Sequence, residues 1–536
     1  MGFCPKCCPT ASGPVLALTR HAAQPALLSM TWLACGSLIV GCSSGGSDGV
    51  SPTSSNSPPP AVTKVTVVLS SDANDQFTEF GAVLQGIALT NSSGKSVTLL
   101  SQSVGTELVH LNGLVEPMIT STLPQDTYTA ATVSVGGAEF SCVTLDTDGG
   151  VLDATYAYGY VPAPNATVTL PTPISVTGDN MGMTLRMLVQ RSAILSSCSG
   201  GASYAIRPTF TLTSFDIANA PPGSASTALF SLEGAVTAVG STPGSFEVQR
   251  PAYMSQPATS LKVSIDDGTA LQGIDGLASL AVGMFVDLDG AIQADGSVHA
   301  TRVALADPAA VDVRRGPIVS VHNQAIPIVQ IEPIEGQGKD ELASTEPYDF
   351  SNTRFRISGQ LSNVPQLPFA ATFNAVNMVP GQNVYLSSPA FVTCCGQEYF
   401  APATTITLMP QTIDGTVLGS SISGNFTIYA VELADYALFA RLAVQPAQAT
   451  PLSQPDEVQV YVDGSTRILN SDRVAVGNTL RFYGLVFNDQ GVLRMDCAQI
   501  NDGVPLNSEG STQSDGIAGG PMSPRSAKHR STLPED

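Results

Sequence analysis

Tryptophan is nearly missing from this chain: Trp32 is the sole one among 536 residues, and it falls in an apolar stretch close to the amino terminus. Downstream of it no indole platform can stack on a sugar, which leaves that task to tyrosine. Charge is scarce too, at 12% of residues, and it leans acidic, with 23 Lys and Arg against 44 Asp and Glu and a formal net of −21. Such a surface repels nucleic acid and anionic lipid head groups, which argues against both as partners. His110, His299 and His322 are the histidines between residues 62 and 502, with neither an HExxH helix nor a Cys-x-x-Cys pair beside them, so four zinc ligands cannot be assembled there. A phosphate-binding Gly loop and a dinucleotide fingerprint are both absent. The pattern G-x-S-x-G occurs at Gly41–Gly45 and Gly45–Gly49, where no strand-to-helix elbow can form, so it does not mark a hydrolase nucleophile.

What is present begins with a leader. Lys6 and Arg20 make it cationic, no acid precedes Asp48, and the apolar run Ala26 to Gly41 is short and rich in small residues. A membrane span needs about 20 apolar residues. The run ends in Leu38-Ile39-Val40-Gly41-Cys42. This ending resembles the lipobox of bacterial lipoproteins. The resemblance implies that the bond between Gly41 and Cys42 is cut, that the Cys42 sulfur carries diacylglycerol, and that the new amino terminus receives an acyl chain such as palmitate. Several chains on one residue attach a protein durably. Residues 1–41 are therefore expected to be a signal peptide, and the mature chain an exported protein anchored in the cell membrane or the outer membrane. Loss of Lys6 and Arg20 moves its formal charge from −21 to −23.

Residues 42–61 hold the lipidated Cys and a Ser, Gly and Pro-rich tether, and 503–536 form a polar tail expected to be disordered. With Cys4, Cys7, Cys8 and Cys35 in the leader, Cys142, Cys198, Cys394, Cys395 and Cys497 remain, an odd number in a compartment where disulfides persist. Cys394-Cys395 permits a strained vicinal disulfide, a soft-metal site, or a bond from one of the two to Cys497.

Between tether and tail the reading is all-β. Over 62–219, short runs such as Lys64–Leu69 and Ala131–Val135 alternate apolar and hydroxylic residues, as half-buried strands of a sandwich do. The first strand leads to Ser71-Asp-Ala-Asn-Asp75 and Phe77, and Leu123-Pro-Gln-Asp-Thr-Tyr128 opens a later one. These elements resemble the bacterial lipoprotein domain known as domain of unknown function 4382, and the second recurs in transthyretin-like sandwiches, with Asp126 where Gly is usual. From 228 an internal repeat takes over. Gly234-Ala-Val236, Phe246-Glu-Val248, Gly268-Thr269, Gly283 to Gly290 and Ala300 to Val303 recur in order as Gly415-Thr-Val417, Phe426-Thr-Ile428, Ser465-Thr466, Gly477 to Gly484 and Ala498 to Ile500. A degenerate copy lies between them, from Gly316 to Leu386. The pattern resembles domain of unknown function 5666, a small all-β module found in tandem in envelope proteins. It gives three barrel-like modules, 228–310, 311–411 and 412–502, each long enough to fold alone. The insertion Ala434 to Ala447 is expected to hold a short helix.

Acidic clusters are the remaining chemistry. Asp146, Asp148 and Asp153 are candidate calcium ligands, as are Asp72 with Asp75 and Asp287 with Asp289, though each set sits where hairpin turns also need Asp. No other cofactor is expected. The leading functional expectation is a non-catalytic binding or scaffold lipoprotein of the envelope, with an envelope protein or polysaccharide as partner. The alternative is a metal-dependent or glycoside-type hydrolase acting on envelope polymers. Cys142 and Cys198 are the two cysteines of 62–219 and should pair. Non-reducing peptide mapping should recover one peptide joining them, and two free thiols would reject the bond.

Overall fold

Strand-forming alternation governs the chain from Val62 onward, and the computed structural model is 61% strand against 4% helix, so its packing is that of sheet faces. The structure describes residues 61–502 apart from 74–76, 112–113, 144–153, 163–164, 194–202, 221–223, 225, 241–243, 251–252, 254–255, 257, 308–311, 324–326, 332–334, 337–344, 359–365, 389–399, 435–436, 444–450 and 469–472.

Residues 62–215 form one twelve-stranded sheet wrapped around a single apolar core. Strand Val62–Ser71 lies parallel to Asn180–Met187 and antiparallel to Glu116–Pro124. The long strand Asp126–Val143 pairs along its length with Glu79–Asn91. Val65, Phe80, Val133, Leu185 and Phe210 bring the inner faces together. At the start of the long strand, the buried Tyr128 donates its hydroxyl to the Pro124 carbonyl at 3.0 Å. Leu123-Pro-Gln-Asp-Thr-Tyr128 is thus a corner tied across its own ends, and Asp126 serves it by accepting from Asn91 Nδ2 at 2.6 Å.

Three further sheets follow, spanning 228–307, 312–408 and 411–502. In the first, Ala228–Val239 lies between Ser245–Gln249 and Phe285–Ile292, and Ser260–Ser264 and Val298–Asp307 flank these. Those two outer strands pair in parallel, which closes the sheet into a barrel, and Ala270–Gln272 adds a short strand to Val298–Asp307. The last sheet repeats this order with Phe426–Leu433, Gln411–Ser423, Thr479–Asp489, Val492–Asp502 and Glu457–Val462, closed by the same parallel pairing. The central sheet has the same plan with its closing strand broken in two: Ala401–Pro402 pairs with Glu346–Asp349, and Thr405–Leu408 with Asn383–Ser388.

Local devices recur with the strands. Gly283, Gly381 and Gly477 have φ of 92°, 92° and 87°, and each amide donates at 2.8 Å to Val236, Ile318 or Val417. A side chain at that φ would be strained, which accounts for the first glycine of the seven-residue step. At the second, Gly290 and Gly484 sit at bulges where a Cβ would strike the His299 or Asp496 carbonyl. In the central copy Ser388 stands there, where its strand ends. Thr269, Thr353 and Thr466 each donate a hydroxyl across the barrel to the Ala300, Ala403 and Cys497 carbonyls, at 2.7, 2.7 and 2.8 Å.

Each barrel closes its own hydrogen bonds but not its own core. Leu485 and Phe487 of the last barrel lie in the core of the central one, and Val379 of the central barrel lies in the core of the last. The helix Leu438–Ala443 sits in the expected insertion, and its Phe439 packs against Gly381. Val68 and Val115 of the amino-terminal sheet likewise enter the first barrel's core. Exposing Leu485 and Phe487 would cost about 2 kcal/mol each. A 412–502 fragment should therefore show strand-type circular dichroism yet melt well below a 312–502 fragment. Equal melting temperatures would mean that the shared core carries no stability.

Candidate functional site

In every barrel the residue before the glycine of the first strand faces a set residue of the neighbouring strand. The cross-strand pairs are Glu233 with Asp287, Arg315 with Tyr385, and Asp414 with Arg481. Strand alternation puts both members on the outer face, away from each barrel's apolar interior. All of these residues are nevertheless buried, because there the barrels meet one another and the amino-terminal sheet.

The charges pair within and between barrels. Arg302 donates from Nη2 to Asp287 at 2.9 Å and from Nε to Asp289 at 2.7 Å, and Asp289 also accepts the Ser231 amide at 2.9 Å. Burial alone would lower the Arg302 pKa, but the two carboxylates raise it above its ordinary range. Arg315 of the central barrel lies 3.4 Å from Glu233 of the first. Arg481 lies 3.5 Å from Asp414 and donates to the Asp72 carbonyl of the amino-terminal sheet at 3.4 Å. Phe285 with Tyr385, and Phe230 with Tyr483, close the junction with ring centroids 5.6 and 6.2 Å apart.

A second polar seam joins the amino-terminal sheet to the first barrel. Both ring nitrogens of His110 lie 2.8 Å from carboxylates, Nδ1 from Glu107 and Nε2 from Glu116. A doubly protonated ring satisfies both. Glu116 also forms an ion pair with Arg250 at 2.5 Å, and Tyr253 donates to Glu79 at 2.7 Å.

Between the first and central barrels a cleft of about 360 Å³ opens beside the junction, lined by Arg354, Arg356, Tyr385, Leu305 and Met409, with Asp287 among its walls. Guanidinium, phenol and apolar surfaces converge there, an arrangement suited to holding a polar ligand.

The structure redistributes the residues singled out in the sequence. Asp287 and Asp289, read as calcium ligands, are instead committed to Arg302. Asp72 is buried, accepts from the Gln190 amide at 3.5 Å and faces Arg186 and Arg481. Cys497 is a buried thiol whose Sγ lies 3.3 Å from the Gln499 carbonyl, while Cys394 and Cys395, which the spacing allowed as its partners, lie outside the described residues. His299 lies 3.4 Å from Asp266, and His322 lies 3.2 Å from the Ser320 hydroxyl. Gly41, Cys42, Cys198, Cys394, Cys395, Asp75, Asp146, Asp148 and Asp153 lie outside the described residues, as does the side chain of Cys142. Among the described residues no group of three or more His, Cys, Asp or Glu could hold a metal ion. Sequence reading missed Arg302, Arg315, Arg481 and the Arg354 and Arg356 pair. An arginine in a mostly uncharged strand was the available signal.

This geometry defines a class, small closed barrels in tandem welded at a charged face. Residues 233–304 match the family model described as Domain of unknown function (DUF5666). The match runs from Glu233 and takes in Asp287, Asp289 and Arg302, while the central and last barrels repeat its strand order outside it. No curated protein matches the chain.

The seam has a pH signature. Burial alone would raise the Glu116 carboxyl, yet Arg250, His110 and Arg315 bring it from 4.5 down to about 2. A depressed carboxylate contributes stability that is full above its unfolded value and fades as pH falls from about 4.5 towards 2. Glu116→Gln should thus cost roughly 3 kcal/mol at pH 7, with the gap to wild type closing through that window. Thermal unfolding of both proteins across pH measures it, and a gap independent of pH would refute the assignment.

Proposed function

We propose that the chain is an exported lipoprotein of the bacterial cell envelope, anchored through Cys42, whose barrels form a rigid platform that binds an envelope protein or polysaccharide without turning it over. The carrying observation is the cleft between the first and central barrels, where Arg354, Arg356 and Tyr385 converge. Binding is favoured over hydrolysis because the carboxylate in its wall, Asp287, is held by Arg302 at 2.9 Å and so is not poised as a base. Residues 62–219 are proposed to be a domain of unknown function 4382-like sandwich, and the bond from Tyr128 to the Pro124 carbonyl gives its Leu-Pro-to-Tyr motif a physical reason.

Two measurements test this. Wild-type cells should incorporate labelled palmitate into the protein and retain it in membranes, whereas Cys42→Ala should leave an unlipidated precursor. Label entering the mutant would remove the anchor. Purified protein should retain envelope polysaccharide without releasing reducing ends. Release that disappears in Asp146→Ala would replace binding by hydrolysis.

A further inference from the structure

We infer that the last barrel carries a docking edge for a second copy of this chain: residues 419–423 pair antiparallel with the same residues of that copy, about a two-fold axis through Ser421.

The first observation is an open strand edge. Gln411 to Thr416 pair with strand Thr479–Asp489 on one side, and Gly415 to Ser423 pair with Phe426–Leu433 on the other. Val417 makes the last contact on the first side, donating its amide to the Asn478 carbonyl at 3.0 Å and accepting from the Gly477 amide at 2.8 Å. Beyond it the strand runs on to Ser423, and among the described residues nothing pairs with its outer side. The corresponding strand of the first barrel stops at Val239, soon after Val236, the counterpart of Val417. Its end also shares a groove with Leu277, Ala278 and Leu280, so chain lies beside it.

The second observation is the direction of the open groups. Ser423 and Phe426 face each other across the turn Gly424-Asn425, where Gly424 has φ 59°. Residues that flank a two-residue hairpin turn bond each other, and bonding alternates along an antiparallel pair. Ser421 and Gly419, opposite Ile428 and Ala430, therefore bond within the hairpin as well. Ser420 and Ile422 send their N–H and C=O groups outward. Their side chains share one face of the strand, and that of Ile422 is 82% exposed.

The third observation is composition. Natural sheets blunt an open edge with charge or proline. Residues 415–431 contain no Asp, Glu, Lys, Arg, His or Pro. In a chain with a formal charge of −21, two copies repel each other wherever acids face, and this hairpin lets them approach without that cost.

A second copy fits because its edge is open in the same way. With Ser421 on the axis, Ser420 of each copy lies opposite Ile422 of the other, and each such pair exchanges both of its N–H and C=O groups. The two Ile422 side chains become diagonal neighbours on one face and cover each other. A slip of one residue would set outward groups against inward ones. Two-fold symmetry closes the contact, so it yields a dimer and not a fibre. One short strand pair falls well below the roughly 1,600 Å² of a standard interface, so the dimer is weak and reversible and is best detected by trapping.

The test is disulfide trapping in the full chain. Opposed residues of a non-hydrogen-bonded antiparallel pair have Cα atoms about 4.5 Å apart, within disulfide reach. Ser421→Cys should therefore give a covalent dimer of twice the chain mass under mild oxidation with copper phenanthroline, well above the wild-type background. Thr427→Cys, on the strand behind the edge, should stay at that background. Ile422→Lys added to Ser421→Cys sets like charges beside the axis and should lower the dimer yield about tenfold. Because Ile422 is exposed, the melting temperature should not change, which separates lost pairing from lost folding. Ile422→Val should keep the dimer. A Ser421→Cys chain with no dimer above wild type, a yield unchanged by Ile422→Lys, or equal trapping through Thr427→Cys would each overturn the two-fold pairing. Trapping of Ser421→Cys to a different protein in its place would overturn the second copy as the occupant.

Discussion

Everything in the barrel region depends on one constraint: the residue preceding the first-strand glycine in each repeat points away from its own core into a shared, buried junction. A charge placed there must be met by a charge from the same or another repeat, because an uncompensated buried ion costs several kcal/mol. Glu233, Arg315 and Asp414 occupy that position, and their cross-strand neighbours are Asp287, Tyr385 and Arg481. Three copies of one fold have therefore diverged at a single face into surfaces of differing charge. Identical copies would have set like charges against one another.

Such a junction adds less to stability than to specificity. Replacing a buried ion pair by well-packed apolar residues is often neutral or stabilising, whereas removing one partner costs about 3 to 5 kcal/mol. Arg315 against Glu233 thus selects which barrel can sit beside which, while the driving force comes from apolar exchange such as Leu485 and Phe487 in the central core. The amino-terminal sheet is fixed by the same logic, with Val68 and Val115 entering the first barrel's core while Glu116 meets Arg250. The cleft inherits its shape from this arrangement. Its walls belong to two barrels that neither hydrogen bond nor core allows to slide freely.

How much of this was legible in the sequence varies with the range of the physics involved. The Gly283 to Gly290 and Gly477 to Gly484 steps were readable because a positive φ and a bulge against a carbonyl both demand glycine locally. The turn threonines were readable for a similar reason, since Thr269 and Thr466 tie a turn to the strand it serves. The central barrel was harder. Its closing strand is split between Ala401–Pro402 and Thr405–Leu408, and Ser388 replaces the second glycine, so pattern alone showed a degenerate copy where the strand order is intact. The charged junction was not legible. Asp287 and Asp289 looked like open oxygen ligands because Arg302 lies on the next strand, and only the register that sets Asp289 opposite Arg302 turns the cluster into an ion pair. Between barrels no spacing rule exists at all, which is why Arg315 gave no sign of Glu233.

The scarcity of cations gives the junction a consequence for the outer surface. The chain has 23 Lys and Arg in all, and Arg302, Arg315, Arg481 and Arg250 are spent inside, against carboxylates that are buried with them. Pairs neutralised indoors cancel in the far field, so the surface potential is set by what stays exposed, and that remainder is predominantly Asp and Glu. Against such a background a local pair of guanidiniums is not diluted by neighbouring lysines, as it would be on a protein of ordinary composition. Low-dielectric walls focus the field of the charges that line the cleft between the first and central barrels, Arg354 and Arg356 among them. The same composition therefore leaves positive potential on the outer surface only where an arginine is local, against a background set by Asp and Glu.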